Sequence, residues 1–185
     1  MRKATVARTK TGGMATLEGD ARVTDGIRVS DTGQIRWNPS DPKGAWLSLN
    51  APAVRFLIGH LGGRSFEVGD ARVTALDRPW PQDVPAYACI SLVALDGKPL
   101  ATSQRILLAA SARTENTGMP WNEDRTGFTS DNWGRRPTRS EAVPLDVVVP
   151  GRPVRVWRLT ADGHKAEELA MKNHVFRLRP EHRTL

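Results

Sequence analysis

Apolar residues fall along this chain in short bursts, separated by Gly, Pro, Asn and Asp, the pattern of β-strands joined by turns. Ala21–Val23 and Ile27–Val29 flank Asp25-Gly26, a dipeptide suited to a type I′ turn because both of its central positions take positive φ. Gln34–Trp37 follows the turn Asp31-Thr32-Gly33. Trp46–Leu49 and Val54–Ile58 read as strands on either side of Asn50-Ala51-Pro52, and Ser65–Val68 and Ala71–Leu76 come next. The clearest hairpin runs from Ala88–Leu95 through Asp96-Gly97-Lys98-Pro99 to Ser103–Ser111. Val143–Val149, Val154–Thr160 and Val175–Leu178 repeat the theme, with Trp157 breaking the alternation of Val154 and Val156. Only Lys165–Lys172 (KAEELAMK) has helical composition, and it is too short to be stable alone. About ten short strands without βαβ spacing predict an all-β fold, an antiparallel β-sandwich of jelly-roll or immunoglobulin-like type. Residues 21–185 read as one sandwich domain, and residues 1–20 as a poorly ordered N-terminal segment or linker. The hexapeptide GDARVT occurs at Gly19–Thr24 and again at Gly69–Thr74 with unlike flanks, which excludes a solenoid repeat and leaves two similar strand entries or chance under a biased composition.

One segment departs from this rhythm. Arg113–Ala142 has no hydrophobic period, yet it holds Trp121, Phe128 and Trp133. Disordered linkers seldom carry Trp, because water solvates an indole poorly, so the segment reads as one long ordered loop pinned by its aromatics.

Composition narrows the classes further. The chain of 185 residues is long enough for a full core, and no apolar run reaches the length of a membrane-spanning helix. The N-terminus starts basic but develops no apolar stretch of signal-peptide type. A single cysteine, Cys89, excludes an internal disulfide. The net charge of +7 is spread evenly, with 13 basic and 10 acidic side chains in residues 1–100 against 14 and 10 in residues 101–185. Nucleic-acid binders concentrate their charge, so no nucleic-acid partner and no membrane partner is expected.

Catalytic motifs are absent from the sequence: it has no G-x-S-x-G, no H-E-x-x-H and no phosphate-binding glycine loop. His60, His164, His174 and His182 sit at unrelated spacings, so no metal site and no cofactor is expected. Glu115, Glu123, Asp124 and Asp131 in the long loop leave open a glycosidase mechanism, which needs two carboxyl groups at a set separation. Asn122, Asp124 and Asp131 leave open calcium coordination. Against both stands simple pairing with Arg113, Arg125, Arg135 and Arg136. Six tryptophans against one tyrosine form the strongest signal. Flat indoles stack on the apolar faces of sugar rings while Asn, Asp and Arg bond the hydroxyls. Glu115, Asn116, Trp121, Asn122, Asp124, Trp133 and Arg135 are therefore the candidate carbohydrate-binding or docking residues. Trp37 and Trp157, in strand patterns, are expected in the core; Trp80, within Arg78-Pro79-Trp80-Pro81, suits core or surface.

Three segments together carry a resemblance. Val29–Asn38 (VSDTGQIRWN), Ser91–Arg113 (SLVALDGKPLATSQRILLAASAR), and the loop stretches ENTGMPWNED and DNWGRRP are similar to the C-terminal β-sandwich accessory region of large bacterial glycoside-hydrolase-like proteins. Ala94 stands where that group has serine in its S-L-D-G-K-P-L hairpin. The resemblance implies a non-catalytic accessory domain that docks on a catalytic barrel, the barrel carrying the catalytic carboxylates and the parent protein being a polysaccharide-degrading enzyme of secreted type. It also implies that this chain is a piece of a longer protein. The barrel is the expected partner, and polysaccharide a second one. A standalone carbohydrate-binding module and a glycosidase using the loop carboxylates are the rival readings.

Overall fold

The computed structural model describes residues 4–8, 14–18, 22–68, 71–76, 86–123, 127–149 and 154–179. All regular structure among them is β-strand. The strands are β1 (Ala4–Arg8), β2 (Met14–Glu18), β3 (Arg22–Thr24), β4 (Ile27–Val29), β5 (Ile35–Asn38), β6 (Trp46–Ala51), β7 (Val54–His60), β8 (Ser65–Val68) and β9 (Ala71–Ala75). They continue with β10 (Tyr87–Ala94), β11 (Ile106–Ser111), β12 (Thr114–Thr117), β13 (Arg135–Ser140), β14 (Leu145–Val148), β15 (Val156–Leu159), β16 (Lys165–Leu169) and β17 (Val175–Leu178). A seven-stranded sheet has the order β11-β10-β7-β6-β5-β4-β3, and a four-stranded sheet has the order β17-β14-β9-β8. Three two-stranded hairpins, β1-β2, β12-β13 and β15-β16, complete the fold. Strand pairing is antiparallel throughout, and the chain is an open β-sandwich.

The core lies between the two larger sheets. Leu57 and Ile90 from the seven-stranded sheet meet Val73 and Leu145 from the four-stranded one, and none of the four exposes any surface. Burying such side chains stabilises by about 1.5–3 kcal/mol each. Strand β10 shows the alternation this demands: Ala88, Ile90, Leu92 and Ala94 are buried, and the residues between them are only partly so. The outer face of the four-stranded sheet is polar and cross-linked. Ser65 and Thr74 share a 2.8 Å hydrogen bond, Arg72 reaches Glu67 at 2.7 Å and Arg177 reaches Asp146 at 3.1 Å.

The predicted Asp25-Gly26 turn falls where expected, whereas Asn50 and Ala51, read as part of a turn, end strand β6. Asp25 and Gly26 join β3 to β4 with φ of 51° and 77°, the left-handed values a type I′ turn requires. The two GDARVT copies lead into β3 and β9, which belong to different sheets.

Four further expectations change. The helix-forming run KAEELAMK is strand β16 at Lys165–Leu169, because cross-strand pairing with β15 outweighs a propensity that one short segment cannot realise. Arg155 bonds Glu168 at 2.6 Å and Arg158 bonds Glu167 at 3.2 Å across that pair. Trp157 is not a core residue: its ring lies between Arg155 at 5.1 Å and Lys165 at 4.9 Å. Trp37 also lies outside the core, under the Arg28 guanidinium at 4.8 Å. Finally, Arg113–Ala142 contains the hairpin β12-β13 where a loop without strands was expected. Strand β13 (RRPTRS) is exposed at every position, so no hydrophobic pattern announces it.

Candidate functional site

The β12-β13 hairpin gathers most of the predicted site residues. Thr114, Glu115 and Asn116 pair with Ser140, Arg139 and Thr138, and the register then shifts so that Thr117 opposes Arg135. Cross-strand partners project from one face, which puts Glu115 and Arg139 on the same side; Arg135 follows beyond the register shift, opposite Thr117. Beyond the strands the tip is closed by an isolated bridge between Trp121 and Phe128. The rings of Trp121 and Phe128 are 4.7 Å apart at a 41° tilt, and those of Phe128 and Trp133 are 4.8 Å apart at 59°. The result is a contiguous aromatic cluster with two unlike ends. Trp121 is half-buried, whereas Trp133 is 63% exposed. Of the aromatics expected to pin the loop, Trp133 thus stays largely in water and finds only Phe128 to lean on among the described rings.

Polar groups in the hairpin are largely committed to holding it. Trp121 Nε1 donates to Glu115 Oε2 at 2.7 Å, and Arg113 Nε lies 3.6 Å from the same oxygen. Arg113 also donates to Glu141 Oε1 at 2.6 Å and stands 5.9 Å from the Trp121 ring. The Asn116 amide donates to the Trp133 carbonyl at 3.0 Å, and its oxygen accepts from Thr138 at 2.9 Å. Asn122 Oδ1 accepts the Gly127 N–H at 3.0 Å. Glu115 is thereby a tie between strand and tip, bonded to an indole and flanked by a guanidinium. Asn122 and Asn116 close turns. Glu123, Asp131 and Arg135 are exposed. Asp124 and Trp80 lie outside the described residues. Among those described, no group of three or more His, Cys, Asp and Glu side chains could hold a metal ion.

A second feature was not read from the sequence. The outer face of the seven-stranded sheet, turned away from the four-stranded one, is apolar. Register places Trp37 beside Leu47 and Ile58, and Ile35 beside Leu49 and Phe56, all on that face; Val93 and Leu107 extend it across β10 and β11. Most of these side chains are half-buried, and Ile35 is 43% exposed. In β5 and β6 the polarity is the reverse of that of an ordinary sandwich strand. Arg36, Asn38, Ser48 and Asn50 take the inner side together with Trp46, which packs on the core, while Ile35, Trp37, Leu47 and Leu49 take the outer side. Tyr87 and Cys89 share the outer face, and burial pushes both the phenol and the thiol above their usual ranges, the thiol being partly offset by a hydrogen bond to Ser111. The signal was present in Leu47-Ser48-Leu49 and in the unbroken apolar run Phe56-Leu57-Ile58, which a strand covered on one side alone does not need.

Comparison with known proteins finds no matching family model, curated protein or solved structure.

Proposed function

We propose that this chain is a non-catalytic β-sandwich accessory domain of a polysaccharide-degrading glycoside hydrolase, docked on a catalytic barrel through the outer face of its seven-stranded sheet. The observation that carries the reading is the apolar patch Trp37, Leu47, Leu49, Phe56 and Ile58, which its own second sheet does not cover. Contiguous apolar surface of this kind marks an interaction site. The barrel as partner comes from the resemblance in the DTGQIRWN, LDGKPL and ENTGMPW segments. The engaged state of Glu115 supports the non-catalytic part, since a general acid or nucleophile must face its substrate.

The test first reads the genomic sequence flanking this chain for an in-frame barrel, whose absence overturns the proposal. Barrel and chain, expressed apart and mixed, should co-elute in size-exclusion chromatography, and Phe56→Glu should abolish that association. The chain alone should leave p-nitrophenyl glycosides intact. Hydrolysis by the isolated chain, or lack of association with the barrel, overturns the proposal.

A further inference from the structure

We infer that the open side of the β12-β13 hairpin binds acidic polysaccharide, with the Trp133 indole stacking on a sugar ring and Arg135, Arg136 and Arg139 pairing with uronate carboxylates. This deepens the accessory-domain reading and rests on it for the class of polymer. Three observations carry it. Trp133 is 63% exposed, and its backbone carbonyl, not its ring, is what Asn116 holds. Strand β13 has three arginines and no acid, every residue is exposed, and the three guanidinium groups make no hydrogen bond or ion pair among the described residues. The neighbouring glutamates are already answered, Glu115 and Glu141 both lying against Arg113.

The chemistry follows from those groups. A guanidinium matches a carboxylate with two parallel N–H donors, and an indole face suits the C–H face of a pyranose. Arg135, Arg136 and Arg139 all lie exposed within the one short strand β13, so they would engage carboxylates along one run of a polymer. A nucleic acid is the poorer fit. Its phosphate density calls for a concentrated positive field, whereas exposed Glu123 and Asp131 stand in the same hairpin.

The experiment is affinity measurement by isothermal titration calorimetry on the full chain. Polygalacturonate is compared with its methyl-esterified form, with neutral xylan and with a single-stranded oligonucleotide. Polygalacturonate should bind, and esterification, which removes charge and keeps the sugar, should weaken binding by about tenfold or more. Trp133→Ala and Arg139→Gln should each cost about tenfold, with far-ultraviolet circular dichroism confirming the fold. Arg72→Gln, on the polar face of the other sheet, should change affinity less than about twofold. Equal affinity for the esterified polymer, tighter binding to the oligonucleotide, indifference to Trp133→Ala, or no binding at all overturns the inference. None of these outcomes touches association with the barrel, whose failure is read separately by co-elution.

Discussion

Leu57 and Phe56 are consecutive residues of β7 that serve opposite faces of one sheet. Leu57 exposes no surface and belongs to the sandwich core, while Phe56 lies between Leu49 and Ser91 on the outer face. Both positions are therefore apolar for different reasons, one for folding and one for association. Leu57→Ala leaves a cavity in a close-packed interior and should cost about 2–5 kcal/mol in urea denaturation. Phe56→Ser should cost only about 1 kcal/mol, because its ring is partly wet already. It should also lower the binding of an apolar dye such as ANS by the native protein. Equal destabilisation by the two changes would mean that the outer face is core.

Asp41 and Arg64 form the best-shielded ion pair among those described. Arg64 Nη2 donates to Asp41 Oδ1 at 2.8 Å and Nη1 to Oδ2 at 3.1 Å, while Trp46 Nε1 also donates to Oδ2 at 2.8 Å. The pair ties the turn before β6 to the connection after β7. The Arg64 guanidinium, aided by the indole N–H, holds the Asp41 carboxyl well below the usual carboxylate range. A carboxyl whose folded-state pKa is depressed stabilises the fold above its unfolded value, near 3.8, and loses that contribution as pH falls below it. Asp41→Asn should cost about 1–3 kcal/mol at neutral pH, and the gap to the parent protein should narrow as pH drops below about 4. A gap constant down to pH 2 would refute this account.

Sequence pattern disclosed what burial and backbone geometry control, and missed what pairing alone controls. Asp25-Gly26 announced its turn because few dipeptides tolerate two positive φ values, and β10 announced itself as an apolar run closed by the Asp96-Gly97-Lys98-Pro99 turn. Strand β13 was hidden because neither of its faces is buried, so no apolar period exists to be read. Strand β16 was hidden by good helix formers whose charges serve cross-strand ion pairs instead. The site residues were legible as a group, since Glu115, Asn116, Trp121, Asn122, Trp133 and Arg135 do meet on one hairpin. Which indole is held and which is open was not legible, because it depends on a single acceptor, Glu115. The apolar outer face escaped because a strand flanked by apolar residues reads as deep core until its neighbours are known.

Gly59 on β7 faces Trp46 on β6 at a separation that excludes a side chain. A Cβ there would lie 2.3 Å from the Ala45 carbonyl oxygen and 2.6 Å from Trp46 Cα, and φ is 135°. Both obstacles are backbone, so neither can rotate away. Gly59→Ala should cost more than about 2 kcal/mol and lower the thermal midpoint by more than about 4 °C. A midpoint within a degree of the parent's would show that the β6-β7 pair has slack that its hydrogen bonds do not suggest.

Trp121 and Trp133 should respond oppositely to truncation, because only one of them holds the hairpin. Trp121 gives its N–H to Glu115 and packs on Phe128 beneath Arg113, so Trp121→Ala removes a hydrogen bond to a charged acceptor together with ring contacts. The first loss is worth about 1.5–3 kcal/mol and the second about 0.5–1.5 kcal/mol. Local opening is the natural readout, since a two-stranded hairpin can fray without unfolding the sandwich. The amides of Asn122 and Thr129 report on it directly, because they bond the Gly127 and Pro120 carbonyls inside the tip. Trp121→Ala should speed their hydrogen exchange by tenfold or more, about the factor that 1.4 kcal/mol supplies. Glu115→Gln keeps an acceptor oxygen and should produce a smaller acceleration. Trp133→Ala should leave both amides close to the parent's rates, since its ring is mostly in water and touches the cluster through Phe128. If Trp133→Ala accelerates exchange as much as Trp121→Ala, the exposed indole is a structural pin after all, and its availability to stack on a sugar is lost as an argument.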